Sequence, residues 1–343
     1  MKTLKWGIIG TGSIAEAFAR ALTQTDSGTA FAVGSRNRKS ASDFAEVYGI
    51  QRAFTGYDSL LADPEVEAVY ISTPHPFHAE WACKAARAGK HVLCEKPAAL
   101  NRGEAEGMIS AARKGGVFFM EAFMYRCHPQ TAELTRLISE GAIGEVRMIR
   151  ASFGFGGGSR IDPGSRIFDP DLGGGAILDV GCYPVSMSRL IAGAAEGVSF
   201  REPESVKGEG RIGSTGVDEW AAAVLRFPSG IVAQVSTSVR TALENSVDVF
   251  GSHGRITVPL PWTADRKNPQ PGKILLTVKG ETRNIEIPAD RTSYAYEADV
   301  TAAAVAAGIH EAAAPAMTWE DTLGNLQVLD AWRSEIGLAY PGE

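Results

Sequence analysis

The sequence predicts two domains, a parallel α/β domain followed by an α+β domain on a predominantly antiparallel sheet. Three observations carry this. Through about residue 122, short apolar runs alternate with amphipathic stretches, the pattern of parallel strands joined by crossover helices. Beyond Phe123 strand-like runs follow one another without helices between them, the pattern of antiparallel neighbours. The length of 343 residues also exceeds the usual size of one core. The expected domains are 1–122 and 123–343, with the last helix able to pack back on the first domain.

Trp6 to Ile9 reads as the first strand and Ile14 to Thr25 as its helix. Thr29 to Gly34 and Ser40 to Tyr48 repeat the unit. Val66 to Ser72 is an apolar strand closed by Thr73-Pro74, and Ala79 to Ala88 is helical. His91 to Cys94 is the next strand, ending at Glu95-Lys96-Pro97. Asn101 reads as the N-cap of a helix that Gly115-Gly116 ends, before the strand Val117 to Glu121. In the second domain Glu145 to Phe155, Glu219 to Phe227, Ile231 to Val239, Val247 to Gly251 and Ile274 to Val278 read as strands. Phe227-Pro228-Ser229-Gly230-Ile231 is a hairpin-like connection. Thr318-Trp319-Glu320-Asp321 has the look of a capping box opening a final helix to about Arg333.

Composition narrows the function classes. Hydrophobic residues make up 44% and charged residues 22%, the balance of a globular protein. A net charge of -6 gives no general attraction for nucleic acid or an anionic membrane. No apolar run is long enough to span a bilayer. Met1-Lys2-Thr3 leads straight into a strand without signal-peptide architecture. Cys83, Cys94, Cys127 and Cys182 are scattered without a CxxC pair. Reduced thiols in a cytoplasmic protein are therefore expected, rather than disulfides or zinc.

Gly10-Thr11-Gly12-Ser13-Ile14-Ala15 lies between a predicted strand and helix, the context a dinucleotide-binding turn requires. The first glycine permits the turn, the second lets a pyrophosphate approach the backbone, and Ala15 allows close helix–strand packing. Free amides at the helix start then face the phosphates. After the second strand, a ribose-binding acid is replaced by Ser35-Arg36-Asn37-Arg38. Losing the acid removes repulsion against a 2′-phosphate, and arginine pairs with it, which favours NADP over NAD.

Lys96 falls at the end of a strand in the same sheet, where such sheets hold their ligands. Gly173-Gly174-Gly175 leads into Asp179 and Tyr183; four residues apart, these share a face if the segment is helical. The glycines suit close approach of backbone to a ligand or a flexible connector. Together these motifs resemble the glucose–fructose oxidoreductase and inositol dehydrogenase (Gfo/Idh/MocA) family, in both predicted domains. Glu121-Ala122-Phe123-Met124-Tyr125-Arg126 with His128-Pro129 is similar to the branch of dimeric dihydrodiol dehydrogenases and NADP-dependent xylose dehydrogenases.

The resemblance implies a Rossmann domain, then an open-faced sheet domain, with nicotinamide and substrate meeting between them. It implies that Lys96 and Asp179 are catalytic, with Tyr183 where many relatives carry histidine, and that the Lys96-Pro97 peptide is cis. A tyrosine is a poor base near neutral pH, so a nearby ammonium that favours phenolate would help it exchange a proton with a substrate hydroxyl. Lys96 and Tyr183 both qualify as immediate proton carrier. Glu95, Lys96, Pro97, Thr73, Pro74, His75 and His78 join Gly10, Thr11, Gly12, Ser13, Ile14, Ser35, Arg36 and Arg38 as expected cofactor contacts. Pro74 and Pro76 disfavour a helical metal pair of His75 and His78, and no further ligands stand nearby, so no metal is expected. Tyr125, Arg126, Arg160, Asp162 and Arg166 are candidate substrate contacts; Arg126 reads equally well as a structural ion-pair partner, and Arg160, Asp162 and Arg166 read more readily as a solvated loop.

The activity implied is hydride transfer between nicotinamide and a hydroxyl or carbonyl carbon of a sugar, polyol or trans-dihydrodiol. The alternatives are a nicotinamide-dependent glycosidase with transient redox and a non-catalytic NADP or sugar sensor. The resemblance also implies a homodimer or dimer-based tetramer through the second-domain sheet, where alternating Val232, Val235 and Val239 would otherwise leave exposed positions.

Overall fold

The computed structural model describes residues 3–156, 164–262, 267–341 and 343. Arg160 and Asp162 lie outside the described residues. The first part runs β1 (Leu4–Ile9), α1 (Ser13–Ala21), β2 (Gly28–Ser35), α2 (Arg38–Tyr48), β3 (Arg52–Thr55), α3 (Tyr57–Leu61), β4 (Ala68–Ile71), α4 (His78–Arg87), β5 (His91–Glu95), α5 (Arg102–Gly115) and β6 (Phe119–Ala122). Its six strands are all parallel in the order β3-β2-β1-β4-β5-β6. The order reverses between β1 and β4, which opens a crevice at the carboxyl ends of the strands. Every residue of β4 and β6 is buried, so these strands read as unbroken apolar runs. β3 escaped the sequence reading because it is a four-residue edge strand, alternately half-buried and exposed.

The remainder runs α6 (Met124–Cys127), α7 (Pro129–Ser139), β7 (Val146–Gly154), α8 (Cys182–Ala195), β8 (Ser205–Ile212), β9 (Asp218–Arg226), β10 (Val232–Ser238), β11 (Ser246–Gly251), β12 (Gly254–Pro259), β13 (Gly272–Val278), β14 (Glu281–Ile287), α9 (Ser293–Ala306) and α10 (Trp319–Glu335). The second sheet has the order β14-β13-β12-β11-β7-β10-β9-β8. Only its β7–β10 pair is parallel. Helices α7, α8 and α10 pack against it. α8 is buried from Cys182 to Ala194; most of it is apolar, and its buried Ser186 and Arg189 are hydrogen-bonded.

The sheet's other face is open, but not where the valines suggested. Val235 and Val239 point inward and are buried, whereas Trp220 and Val224 on β9 are 47% and 42% exposed. Strand pairing sets Trp220 opposite Ser238 and Val224 opposite Gln234, and Val232, half-buried, lies opposite Met148. Among the described residues no helix is long and apolar enough to cross a membrane.

Two late helices return to the first part of the chain. In α10, Asp330 Oδ2 accepts from Arg102 N at 3.0 Å and Arg333 Nη2 donates to Leu100 O at 3.2 Å. In α9, Asp299 Oδ1 accepts from Ser27 Oγ at 2.6 Å. The alanine-rich α9 has no clean apolar stripe, which hid it from periodicity. α7 was hidden by its unusual cap, His128, whose Nδ1 accepts from Gln130 N at 3.1 Å.

The caps at Asn37, Asn101 and Thr318 accept backbone amides three residues on, at 3.2, 3.0 and 3.1 Å. Asp321 does not complete a capping box, however. Its carboxylate is buried between Arg126 and Arg189, and Arg189 also pairs with Glu202. Arg126 is thus a structural ion-pair partner, joining α6 to α10. Because Asp321 lies between two buried guanidinium groups, Asp321→Ala leaves Arg126 without its carboxylate. Breaking a buried ion pair of this kind is expected to destabilise the protein by about 3–5 kcal/mol. Urea unfolding of the variant beside the parent checks this.

Candidate active site

The crevice at the β1–β4 switch point continues into the second sheet domain as one cleft of about 630 Å³. The glycine turn forms one end. Gly10 has φ +107, and a Cβ there would meet Ser72 Oγ at 2.8 Å, so only glycine fits. Gly12 precedes α1 without a side-chain cap, and a Cβ on it would meet nothing within 4 Å. The open space beside uncapped helix amides suits a phosphate. Thr11, Ser13 and Ile14 line the same end, and Ala15 is fully buried against the sheet. Ser35 and Arg36 line the cleft at the end of β2, while Arg38 is taken up as the exposed first residue of α2 and does not. Tyr57, which carried no sequence signal, stands beside them.

The middle of the cleft is built from strand ends. Thr73, Pro74 and His75 follow β4, Glu95 ends β5 and Lys96 directly follows it. The Lys96–Pro97 peptide is cis. His78 is fully buried between Pro97 O at 2.9 Å and Thr73 O at 2.7 Å. Burial pushes its imidazole down to about 4. A neutral ring has one N–H, so it can donate to only one of these carbonyls. His78 therefore hydrogen-bonds one of these two loops while its ring packs against the other, and Pro97 does not line the cleft. Glu95 accepts the Tyr70 hydroxyl from the core and Lys96 N at 3.3 Å. Glu121 Oε1 accepts Ala98 N at 2.8 Å, anchoring the chain just past Lys96.

Asp179 faces these groups from the second domain. It sits in a π-helical turn, Ile177–Gly181, that runs directly into α8. Such turns recur at functional sites. Its backbone oxygen accepts Lys96 Nζ at 2.6 Å. Its carboxylate lies 3.1 Å from Arg166 Nη2 and 4.0 Å from both Lys96 Nζ and His75 Nε2. Burial alone would raise the Asp179 carboxyl, but Lys96 and Arg166 together hold it below the usual carboxylate range. His75, whose Nδ1 lies 3.1 Å from Gly173 O, is buried and its pKa is well below the ordinary value.

Tyr183 shares the cleft with Asp179, one turn further along. The expected phenolate is not supported. Burial raises the phenol well above its ordinary value, and Lys96 Nζ lies over the ring, 5.1 Å from its centroid, while bonding to Asp179. Among the described residues the hydroxyl has the thioether of Met124 as its partner, at 3.6 Å. Around it stand aromatic walls that spacing could not place. Phe153 meets the Tyr183 ring edge-on at 5.1 Å, and Trp262 lies 5.7 Å away and stacks on Phe153 at 5.9 Å. Phe155 and Tyr294 complete the wall.

Two candidate substrate contacts do not reach this space. Tyr125 is fully buried with its hydroxyl on Ser186 Oγ at 2.9 Å, and Arg126 bonds the same Ser186 at 2.8 Å beneath the site. The triple glycine is close-packed for the protein's own atoms. A Cβ would meet Leu100 at Gly173, the Ile167 carbonyl at Gly174, and Asp218 Oδ1, only 2.1 Å away, at Gly175.

A parallel sheet with a phosphate-suited turn, opposed across one cleft by a buried phenol and a lysine–aspartate contact, defines a two-domain nicotinamide-dependent oxidoreductase. The chain belongs to the Gfo/Idh/MocA family: residues 4–123 match its oxidoreductase domain with an NAD-binding Rossmann fold, and residues 131–257 match its C-terminal domain. It is 36% identical to an uncharacterised oxidoreductase of Rhizobium meliloti over 96% of both chains. It is 32% identical to the trans-1,2-dihydrobenzene-1,2-diol dehydrogenase of Xenopus laevis, covering 98% of this chain and 99% of that one. Among solved structures, it is similar to a 3-ketoreductase from Actinomadura kijaniata in complex with NADP and TDP-benzene, with a TM-score of 0.86, 31% identity and 98% of each chain covered.

Proposed function

We propose that the chain is an NADP-dependent dehydrogenase acting on the carbinol carbon of a small cyclic diol, a trans-dihydrodiol in preference to a sugar or polyol. One observation carries the reading: Lys96, Asp179 and Tyr183 converge on the cleft that begins at the glycine turn. The aromatic and thioether wall around Tyr183 favours a substrate with an apolar ring face. The full-length likeness to dihydrodiol dehydrogenases points the same way.

The nicotinamide, when bound, supplies the hydride acceptor or donor. This chain's residues would do the rest. The amides at the start of α1 and the Gly10–Ile14 turn would hold the pyrophosphate, and Arg36 the 2′-phosphate. Tyr183 keeps its proton in a buried site, ready to give it to a carbonyl oxygen in the reducing direction. In the oxidising direction Tyr183 or Lys96 first releases a proton to solvent and then takes up the proton of the substrate hydroxyl. Asp179 fixes the lysine, and the aromatic wall excludes water.

A panel of trans-1,2-dihydrobenzene-1,2-diol, aldoses, inositols and keto-sugars with both nicotinamides tests this directly, read at the nicotinamide absorbance band. Turnover of none of them overturns the reading. Arg36→Ala should raise the Michaelis constant for NADP about tenfold, equivalent to about 1.4 kcal/mol, and spare that for NAD. Equal losses with both would make Arg36 structural, and a parent preference for NAD would overturn the cofactor assignment.

Tyr183→Phe keeps the ring and removes the exchangeable proton. Turnover should fall about a hundredfold or more while NADPH binding survives. Lys96→Met should lose at least as much, and the double variant should be little worse than the poorer single one, since groups acting as a unit are non-additive. Near-parent turnover of Tyr183→Phe with hydride transfer rate-limiting would leave the proton to Lys96.

The open sheet face, with Trp220, Val224 and Met148 on it, supports a homodimer or dimer-based tetramer. Light scattering at micromolar concentration should return a multiple of the chain mass, and a single-chain mass would contradict the assembly.

A further inference from the structure

We propose that Asp218 is a positioning residue for the Lys96–Asp179 contact, acting as the cap of the π-helical turn that carries Asp179; the inference rests on the functional reading above. Asp218 opens β9 and is fully buried. Its Oδ2 accepts the amide of Ile177, the first residue of the turn, at 2.7 Å. Helix starts leave amides unpaired, and a carboxylate is the side chain best suited to them. Burial pushes this carboxyl up to about 7, with the amides of Ile177 and Ala176 opposing the rise.

The glycine before the turn is explained by the same contact. Gly175 has φ +109, and a Cβ on it would sit 2.1 Å from Asp218 Oδ1. Any side chain there would displace the carboxylate from the amides it caps. Two residues beyond Ile177, the Asp179 carbonyl receives Lys96 Nζ at 2.6 Å. That oxygen belongs to the backbone, so only the path of the turn can place it. A π-turn is a rare conformation. Asp218 pairs with Ile212 of β8 at the start of β9, a strand that two residues further on is paired with β10 as well, so the cap is anchored in the sheet.

The test compares Asp218→Ala, which removes the acceptor, with Asp218→Asn, which keeps an oxygen for the Ile177 amide. For each, melting temperature, NADPH affinity by fluorescence, kcat and KM on the best panel substrate, and deuterium exchange at amides 177–180 are measured. The alanine variant should stay folded and bind NADPH within about twofold of the parent. Its kcat should fall by about tenfold to a hundredfold, the effect of a small misplacement of reacting groups, and the turn should exchange faster. The asparagine variant should recover kcat to within about threefold. Unchanged kcat in alanine, equal losses in both variants, or an alanine variant that does not fold each overturns the proposal. If the parent turns over no panel compound, the functional reading fails by itself. Exchange then decides the cap: faster in alanine and restored in asparagine supports it, and unchanged exchange overturns it.

Discussion

The bond from the Lys96 ammonium to the Asp179 backbone oxygen is the constraint on which the site depends. The lysine directly follows a strand of the first sheet, and the aspartate sits in the turn that leads into the buried helix of the second domain. A largely buried ammonium must be paired, so neither element can shift without stranding it. Other buried groups hold the two sides to that register. Glu121 fixes Ala98, His78 bonds one of the Thr73 and Pro97 carbonyls between which it is buried, and His75 reaches across to Gly173. None of these need touch a substrate to matter, because each sets where a strand end stops.

The same pairing decides the protonation of the site. Lys96 is bonded to the Asp179 backbone oxygen with the carboxylate 4.0 Å away, so its charge is partly offset and is not directed at the Tyr183 hydroxyl. Burial then dominates, and the phenol stays neutral. A thioether is a weak acceptor, so the hydroxyl facing Met124 holds no strong hydrogen bond there. An incoming carbonyl or hydroxyl oxygen offers a better one. Read from the sequence, Lys96 acts as a field directly on the phenol; in the structure the lysine lies over the ring and is bonded to the aspartate backbone.

Much of this was legible in the residues. The glycine turn, Arg36, Lys96, Asp179 and Tyr183 stand in local motifs whose chemistry survives translation into sequence, and all of them line one cleft. Two strands of the first sheet read clearly because they are buried on both faces. What stayed hidden depends on distant partners. Trp262 and Phe153 become a wall only when β7 and the segment after β12 meet over α8. Arg126 read equally as ligand or ion pair, since nothing near it in sequence announces Asp321, far along the chain. α9 has too uniform an alanine surface for periodicity to reveal it.

The triple glycine shows where local reading reaches its limit. Glycines before a functional acid suggest backbone bared to a ligand, and that was one expectation for Gly173 to Gly175. Their missing side chains instead make room for Leu100, the Ile167 carbonyl and Asp218. A loop, a strand of the second sheet and the β5–α5 connection of the first domain therefore converge on three residues of backbone. The acid that follows inherits its position from all of them. Glycine is required here by the close packing that fixes Asp179, so the segment's value lies in the absence of freedom rather than in its presence.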